Sequence, residues 1–103
     1  MHNIVFITAS SKKEARRIAE ALVKQKLAAC VNIIGGVESL FWWQGKVDRA
    51  KEVLLVAKST KKALPKLIRQ AKALHSYTCP EIIALPIIAG EKSYLNWIDA
   101  AVS

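Results

Sequence analysis

The sequence predicts one α+β domain, residues 1–103, built from a four-stranded antiparallel sheet with helices packed on one face. Four runs of apolar and β-branched residues have the length and pattern of strands, at 3–8, 27–45, 51–59 and 81–88. Apolar positions recur at helical spacing after the first and third of these runs, and again near the end of the chain. A chain of 103 residues is near the most common domain size and can enclose a single hydrophobic core.

The first strand and the first helix follow from local signals. The stretch NIVFIT, residues 3–8, is compact and apolar, which predicts a buried strand. Ser11 is placed to cap a helix, and Glu14 three residues later predicts a capping box. One face of the helix is apolar, and we expect the helix to end at about Gln25 or Lys26.

The middle of the chain predicts a long hairpin. The second strand covers 27–45 and is interrupted at Gly35 and Gly36, where a bulge or bend is expected because a glycine pair weakens and kinks a strand. Gly45 begins a turn, and the polar segment GKVDRA is expected to connect this strand to a third strand, KEVLLVAKS.

The remaining elements complete a recognisable order. Pro65 suits the first turn of a second helix, which is expected to run to about Leu74. A fourth strand, Glu81 to Ile88, contains Pro86, which marks an edge, a bulge or the end of the strand. A short helix closes the chain. The order β-α-β-β-α-β, plus a C-terminal helix, predicts a ferredoxin-like sandwich with a long hairpin between its second and third strands.

The stretch SLFWWQGK, residues 39–46, carries more apolar surface than one chain can cover. Side chains alternate along a strand, so Phe41 and Trp43 lie on one face and Leu40 and Trp42 on the other. Helices cover only one face, so a neighbouring subunit is expected on the second. The alternative is that one tryptophan lies over a loop of its own chain. A hydrophobic content of 52% and a mean hydropathy of +0.20 favour the neighbouring subunit.

Charge, cysteine content and hydropathy limit the partners. The net charge is +8, but most lysines and arginines fall on the polar faces of the two predicted helices, so we expect a solvated face and no nucleic-acid partner. No apolar run approaches the roughly 18 residues of a membrane span, so no membrane partner is expected. The start has no basic leader, and the expected location is cytoplasmic. Cys30 and Cys79 are expected to be buried thiols, Cys30 on a buried second strand.

Four ordered segments resemble the CutA family, known as the divalent-cation-tolerance proteins: LAACVNIIGGVESLFWWQGKV, EVLLVAKS, PEIIALPI and YLNWI. The resemblance covers essentially the whole chain. It implies a ferredoxin-like subunit in a homotrimer whose hairpins extend the sheets of neighbouring subunits, an architecture similar to that of the trimeric PII signalling proteins. It also implies tolerance to copper and other divalent cations, with divalent metal ions, copper in particular, as ligands and no reaction attached.

The resemblance also indicates a site. The family pattern after the second helix is histidine, proline, tyrosine, a variable pair and proline-glutamate, and here it is HSYTCPE, in which Ser76 replaces the first proline and predicts a looser turn. The candidate metal ligands are His75 and Cys79, whose imidazole and thiolate groups both suit copper, with Glu81 as a further donor. His75 and Cys79 alone are too few for a metal site, so Glu81 or groups from a second subunit would have to add donors, because His2, the other histidine, lies at the chain terminus.

Structural roles compete with metal binding at these positions. His75 is also a candidate to complement the dipole and cap the carbonyl groups at the end of the second helix. Glu81 is equally a candidate to pair with Lys46 or Tyr94, within one chain or across subunits. We expect Trp42, Trp43, Lys46 and Tyr94 at the subunit interface.

Two other classes of function fit the sequence less well. An RNA-binding module of the same element order places aromatic residues on its third strand, and KEVLLVAKS has none. A phosphate-hydrolysing enzyme needs an anion cradle, and TASSKKEARR offers a helix N-terminus without the glycine-rich loop. We therefore predict that the protein is not an enzyme. The alternative to a metal-binding role is a PII-like structural or signalling trimer that binds metal incidentally.

Overall fold

The computed structural model describes residues 1–103 and contains four strands and three helices. Along the chain these are β1 (His2–Ala9), α1 (Lys12–Lys24), β2 (Cys30–Trp43), β3 (Lys46–Thr60), α2 (Leu64–Leu74), β4 (Ile82–Pro86) and α3 (Lys92–Ala101). All strand pairs are antiparallel and the sheet order is β2-β3-β1-β4. The predicted ferredoxin-like sandwich is confirmed. None of the helices is both long and apolar enough to cross a membrane.

The core lies between the sheet and the helices on one of its faces. Alternate residues of β1 and β3 point inward, and Ile7 and Leu55 are fully buried there. They belong to one cluster of 14 buried residues that also contains Ile18 and Leu22 of α1 and Leu67 of α2. Burying each aliphatic side chain of this size contributes about 1.5–3 kcal/mol to folding. The packing of the helices against this face of the sheet therefore stabilises the fold.

The start of α1 differs in one respect from the predicted capping box. Ser11 is the N-cap, and its Oγ accepts a hydrogen bond from the Glu14 backbone N–H at 3.1 Å. The Glu14 carboxylate does not reach back to the Ser11 N–H. Its Oε1 accepts from the backbone N–H and the hydroxyl of Ser10, each at 2.9 Å, and its Oε2 accepts from the Ser76 N–H at 2.7 Å. The carboxylate therefore binds a distant segment of the chain.

The hairpin between β2 and β3 is longer than the sequence predicted. Gln44 and Gly45 have φ angles of 51° and 80°, which is the geometry of a two-residue turn, and Trp43 pairs directly with Lys46. The expectation of a connecting segment over GKVDRA is therefore wrong, because β3 begins at Lys46. The expected irregularity at the glycine pair is confirmed by a register shift between Ile34 and Val37.

The outer end of the hairpin extends beyond the helices, and the molecule measures 44 × 25 × 23 Å. The helices were expected to cover one of the two faces in this region, and they cover neither. Leu40 and Trp42 on one face are 65% and 75% exposed, and Phe41 and Trp43 on the other are 37% and 43% exposed. Both faces of the hairpin end therefore present aromatic and aliphatic side chains to the surroundings.

The C-terminal part packs against the opposite end of the molecule. Pro86 ends β4, as its missing N–H suggests. Helix α3 starts two residues earlier than Tyr94, where the sequence pattern places it, because Glu91 caps it by accepting from the N–H groups of Ser93 and Tyr94. Ile98 and Val102 form a second small core with Ala63.

Candidate functional site

An open groove of about 830 Å³ lies between the outer half of the β2–β3 hairpin and the segment 77–81. Four acidic residues line it: Glu38 on one face of the hairpin, Asp48 and Glu52 on the other face, and Glu81 in the segment after α2. The chain has eight acidic residues against sixteen lysines and arginines, and four of the eight lie along this groove. Arg49 is the only lysine or arginine in the lining. The groove is thus the acidic part of a basic protein.

The other residues that line the groove include apolar side chains and one thiol. Residues 40–43 of the hairpin also line it, and strand alternation places Phe41 and Trp43 on the face that carries Asp48. Tyr77 and Cys79 belong to the lining from the segment after α2, and Cys79 is an exposed free thiol. The groove therefore combines carboxylate oxygen atoms, one thiol and aromatic rings.

His75 lies at the end of α2 with its ring directed toward β1. Its Nε2 is 2.6 Å from the carbonyl oxygen of Thr8, and its Nδ1 accepts a hydrogen bond from the Tyr77 N–H at 3.1 Å. The hydrogen bonds assign the ring proton to Nε2, because a carbonyl oxygen only accepts and an amide N–H only donates. His75 caps α2 through its own backbone N–H, which donates to the carbonyl of Lys72 at 3.2 Å.

The Glu14 carboxylate supports the next residue of the segment. Burial alone would raise the pKa of Glu14, but the hydrogen bonds from Ser76 and Ser10 outweigh it and lower the pKa to about 2. Ser76 stands where the resembling family has proline, and proline has no N–H to donate. The backbone N–H of Ser76 therefore gives this segment an additional anchor, and the looser turn expected from the loss of proline stays a prediction.

Tyr77 connects the segment to β3. Its hydroxyl donates to Oε2 of Glu52 at 3.0 Å, and its ring centroid lies 4.7 Å from that of His75. Burial, the hydrogen bond to Glu52 and the negative charges of Glu52 and Glu14 raise the pKa of Tyr77 to about 12. The phenol therefore remains a donor throughout the neutral range.

The three candidate metal ligands are separated in the structure. Cys79 and Glu81 line the groove, whereas both ring nitrogens of His75 are engaged with neighbouring backbone groups. No three His, Cys, Asp or Glu side chains are close enough together to hold a metal ion. Within one chain these residues do not form a metal centre, and their role as ligands stays a prediction. His2 lies elsewhere, with its Nε2 3.0 Å from Oδ1 of Asp99.

Sequence reasoning missed Glu38, Asp48 and Glu52. Their contribution depends on the register of the hairpin, in which Val37 pairs with Glu52 and Phe41 with Asp48. The signal was present in the dipeptide Gln44-Gly45, because a two-residue turn there fixes the register of the whole hairpin.

The candidate interface residues are on the surface of the isolated chain. Trp42 and Trp43 lie at the hairpin end together with Lys46, which is also exposed. Tyr94 is 42% exposed, and its ring centroid lies 5.4 Å from that of Trp97. No hydrogen bond or ion pair within the chain joins Glu81 to Lys46 or Tyr94.

The face of the sheet opposite the helices is apolar and uncovered. Strand register places several large side chains on it: Ile4, Phe6, Ile34, Leu54, Val56, Ile83 and Leu85. Ile34, Ile83 and Leu85 are each about half exposed. Cys30 shares this face and is partly exposed, with its Sγ 3.9 Å from Nζ of Lys58. The expectation that both cysteines are buried is therefore wrong.

Comparison with known proteins gives consistent results. The family model described as CutA1 divalent ion tolerance protein matches residues 3–101. The divalent-cation tolerance protein CutA of Thermus thermophilus is 52% identical over 98 residues, which is 95% of each chain. That of Archaeoglobus fulgidus is 47% identical over 102 residues, 99% of each.

Solved structures agree with these sequence matches. The divalent cation tolerance protein Cut A1 from Thermus thermophilus superposes with a TM-score of 0.98 at 50% identity and full coverage of both chains. CutA1 from Oryza sativa superposes with a TM-score of 0.96 at 41% identity, over 99% of this chain and 94% of that one.

Proposed function

This chain belongs to the CutA1 family of divalent ion tolerance proteins, and from that premise we propose that it is a non-catalytic homotrimer that binds divalent cations, copper in particular, in the response to metal ions. The proposal includes a cytoplasmic location, which two free thiols favour, and no nucleic-acid or membrane partner.

The acidic groove carries the cation-binding part of the proposal. A protein with a net charge of +8 repels cations over most of its surface, and the acidic residues along the groove, such as Asp48 and Glu52 on one face of the hairpin, offset that repulsion locally. Cys79 offers a sulfur ligand that suits copper, and Glu81 offers a carboxylate that binds divalent cations more generally. A neighbouring protomer would supply the remaining donors.

The uncovered apolar surfaces support the homotrimer. The sheet face opposite the helices and both faces of the hairpin end carry large apolar side chains that a monomer would leave in water. The residues that would contact neighbouring protomers are Trp42, Trp43, Lys46 and Tyr94. Three of them are aromatic, and aromatic residues are enriched in the buried parts of interfaces. The hairpin of one protomer would then cover sheet surface of the next.

The non-catalytic part rests on the chemistry of the site. Histidine is the side chain best suited to proton transfer near neutral pH, and both nitrogens of His75 already have partners. The family description names tolerance to ions and no reaction.

A structural or signalling trimer with incidental metal binding is the second candidate. The observation that favours it is the absence of three clustered metal-binding side chains within the chain. The two candidates differ in stoichiometry, because a built site saturates at a fixed number of ions per protomer and incidental binding does not.

A competitive Cu(II) titration against a chelator of known affinity tests the proposal, with the oligomeric mass measured in parallel. The informative variant is Glu81→Gln, which removes one groove carboxylate. Its control is Glu20→Gln, a carboxylate on the exposed face of α1, 3.9 Å from Lys24. We expect about a tenfold loss of affinity for Glu81→Gln, corresponding to about 1.4 kcal/mol, and no loss for the control. Equal titrations of the two variants would contradict cation binding in the groove.

A further inference from the structure

We propose that His75 is a positioning residue and not a cation ligand: its ring fixes the segment 76–81 along the wall of the acidic groove. The inference deepens the proposed function, on which it rests for the cation that the groove takes. It assigns the cation to groove side chains such as Cys79 and Glu81, and it gives His75 the task of holding that wall in place.

The ring of His75 has no lone pair left for a metal ion. A neutral imidazole has one protonated and one unprotonated nitrogen. Here the protonated Nε2 donates to the Thr8 carbonyl at 2.6 Å, and the lone pair of Nδ1 accepts from Tyr77 at 3.1 Å. Coordination at either nitrogen would break one of these two hydrogen bonds, which opposes metal binding by this ring.

Three consecutive residues bind three different elements of the fold. The ring of His75 bonds to β1, the N–H of Ser76 bonds to Glu14 at 2.7 Å on α1, and the hydroxyl of Tyr77 bonds to Glu52 at 3.0 Å on β3. The segment is therefore fixed immediately before the groove residues. His75 contributes to this twice, because its Nδ1 also holds the Tyr77 backbone.

Two conservative variants separate the two hydrogen bonds of the ring. Asparagine places an acceptor oxygen near the position of Nδ1, so His75→Asn should keep the bond from the Tyr77 N–H and lose the bond to Thr8. Glutamine places an amide N–H near the position of Nε2, so His75→Gln should keep the bond to Thr8 and lose the bond from Tyr77. His75→Ala removes both, and the other two variants keep the test valid if it does not fold.

Three measurements on the full-length protein test the assignment. Nitrogen-15 NMR should show the Nε2–H tautomer in the wild type. Hydrogen exchange at the Tyr77 amide should accelerate about tenfold or more in His75→Gln and His75→Ala and remain near the wild-type rate in His75→Asn. Competitive Cu(II) titration should give the wild-type ratio of ions to protomers for both His75→Asn and His75→Gln, with affinities within about threefold.

Two results would overturn the assignment. One is the Nδ1–H tautomer in the wild type. The other is a loss of Cu(II) affinity of about tenfold or more in both His75→Asn and His75→Gln while the Tyr77 amide stays protected in His75→Asn, because this pattern indicates a ligand. If the wild type itself binds no Cu(II) at a fixed ratio, the proposed function fails, and the NMR and exchange measurements still decide what His75 does.

Discussion

The two halves of the β2–β3 hairpin share one pattern of alternating side chains and have opposite surroundings. In the half next to the helices, Leu55 and Ala57 are fully buried. In the outer half, Trp42 is 75% exposed although its side chain is larger than either and mostly apolar. The comparison teaches that periodicity determines which face a side chain takes, whereas burial depends on what lies opposite. The inner half maintains the fold, and the outer half is available for binding.

The largest expected effect lies in the inner half. Leu55→Ala creates a cavity between the sheet and the helices, and we expect it to lower the free energy of unfolding by about 2–5 kcal/mol. Chemical denaturation monitored by circular dichroism measures this loss. A loss of less than about 1 kcal/mol would show that the inner half is not the source of stability.

The second effect concerns Glu14, which joins α1 to the segment after α2 that lines the groove beside the outer half. Its folded pKa of about 2 lies below its ordinary 4.5, so its contribution to stability is present above pH 4.5 and is lost as the pH falls toward 2. The full linkage amounts to about 3 kcal/mol. Denaturation at pH 2, 3, 4 and 6 should show a shallower fall for Glu14→Gln than for the wild type. Glu20→Gln is the control, and its stability should fall with pH as the wild type's does. If the stability of Glu20→Gln and that of Glu14→Gln fell equally with pH, the role of Glu14 would be contradicted.

The third effect isolates the outer half. Trp42→Ala should leave the fold unchanged and weaken subunit association by about 2 kcal/mol, because exposed aromatic residues often dominate interface energies. Sedimentation equilibrium measures the association. The matched control is Val23→Ala, an exposed apolar side chain on α1, which should associate as the wild type does. If both variants associated equally strongly, the hairpin end would not be part of the subunit interface.

The smallest effect is expected for Tyr77→Phe. The variant keeps the ring beside His75 and loses the hydrogen bond to Glu52, which should cost about 1–2 kcal/mol. Its denaturation midpoint should fall slightly while its oligomeric mass is unchanged. An unchanged midpoint would show that this bond does not hold the segment to β3.

Sequence alone predicts the elements that depend on local pattern. The periodicity around Ile18 and Leu67 gives α1 and α2, and the glycine pair gives the irregularity in β2. The start of β3 is predicted too late, because the polar segment GKVDRA suggests a loop. In the structure the turn is only the two residues Gln44 and Gly45, and β3 begins at Lys46. In a strand exposed on both faces, polar residues such as Asp48 and Arg49 can remain in water, so they do not interrupt the strand.

The candidate site was less accessible to sequence reasoning, because its contacts join distant residues. His75 meets Thr8 across 67 positions, and Ser76 meets Glu14 across 62. The spacing of Ser11 and Glu14 predicts that the Glu14 carboxylate closes a capping box. This local prediction gives no indication that the carboxylate accepts a hydrogen bond from Ser76. The family motif located Cys79 and Glu81 near the groove, while the direction of the His75 ring depends on packing that no spacing rule encodes.

The most direct test of the account is native mass spectrometry of the wild type during saturation with Cu(II), which reports the number of subunits and of bound ions together. The account predicts a trimer that takes up a fixed number of ions per protomer and then binds no more. A monomer, or a trimer whose ion count rises without a plateau, would contradict it.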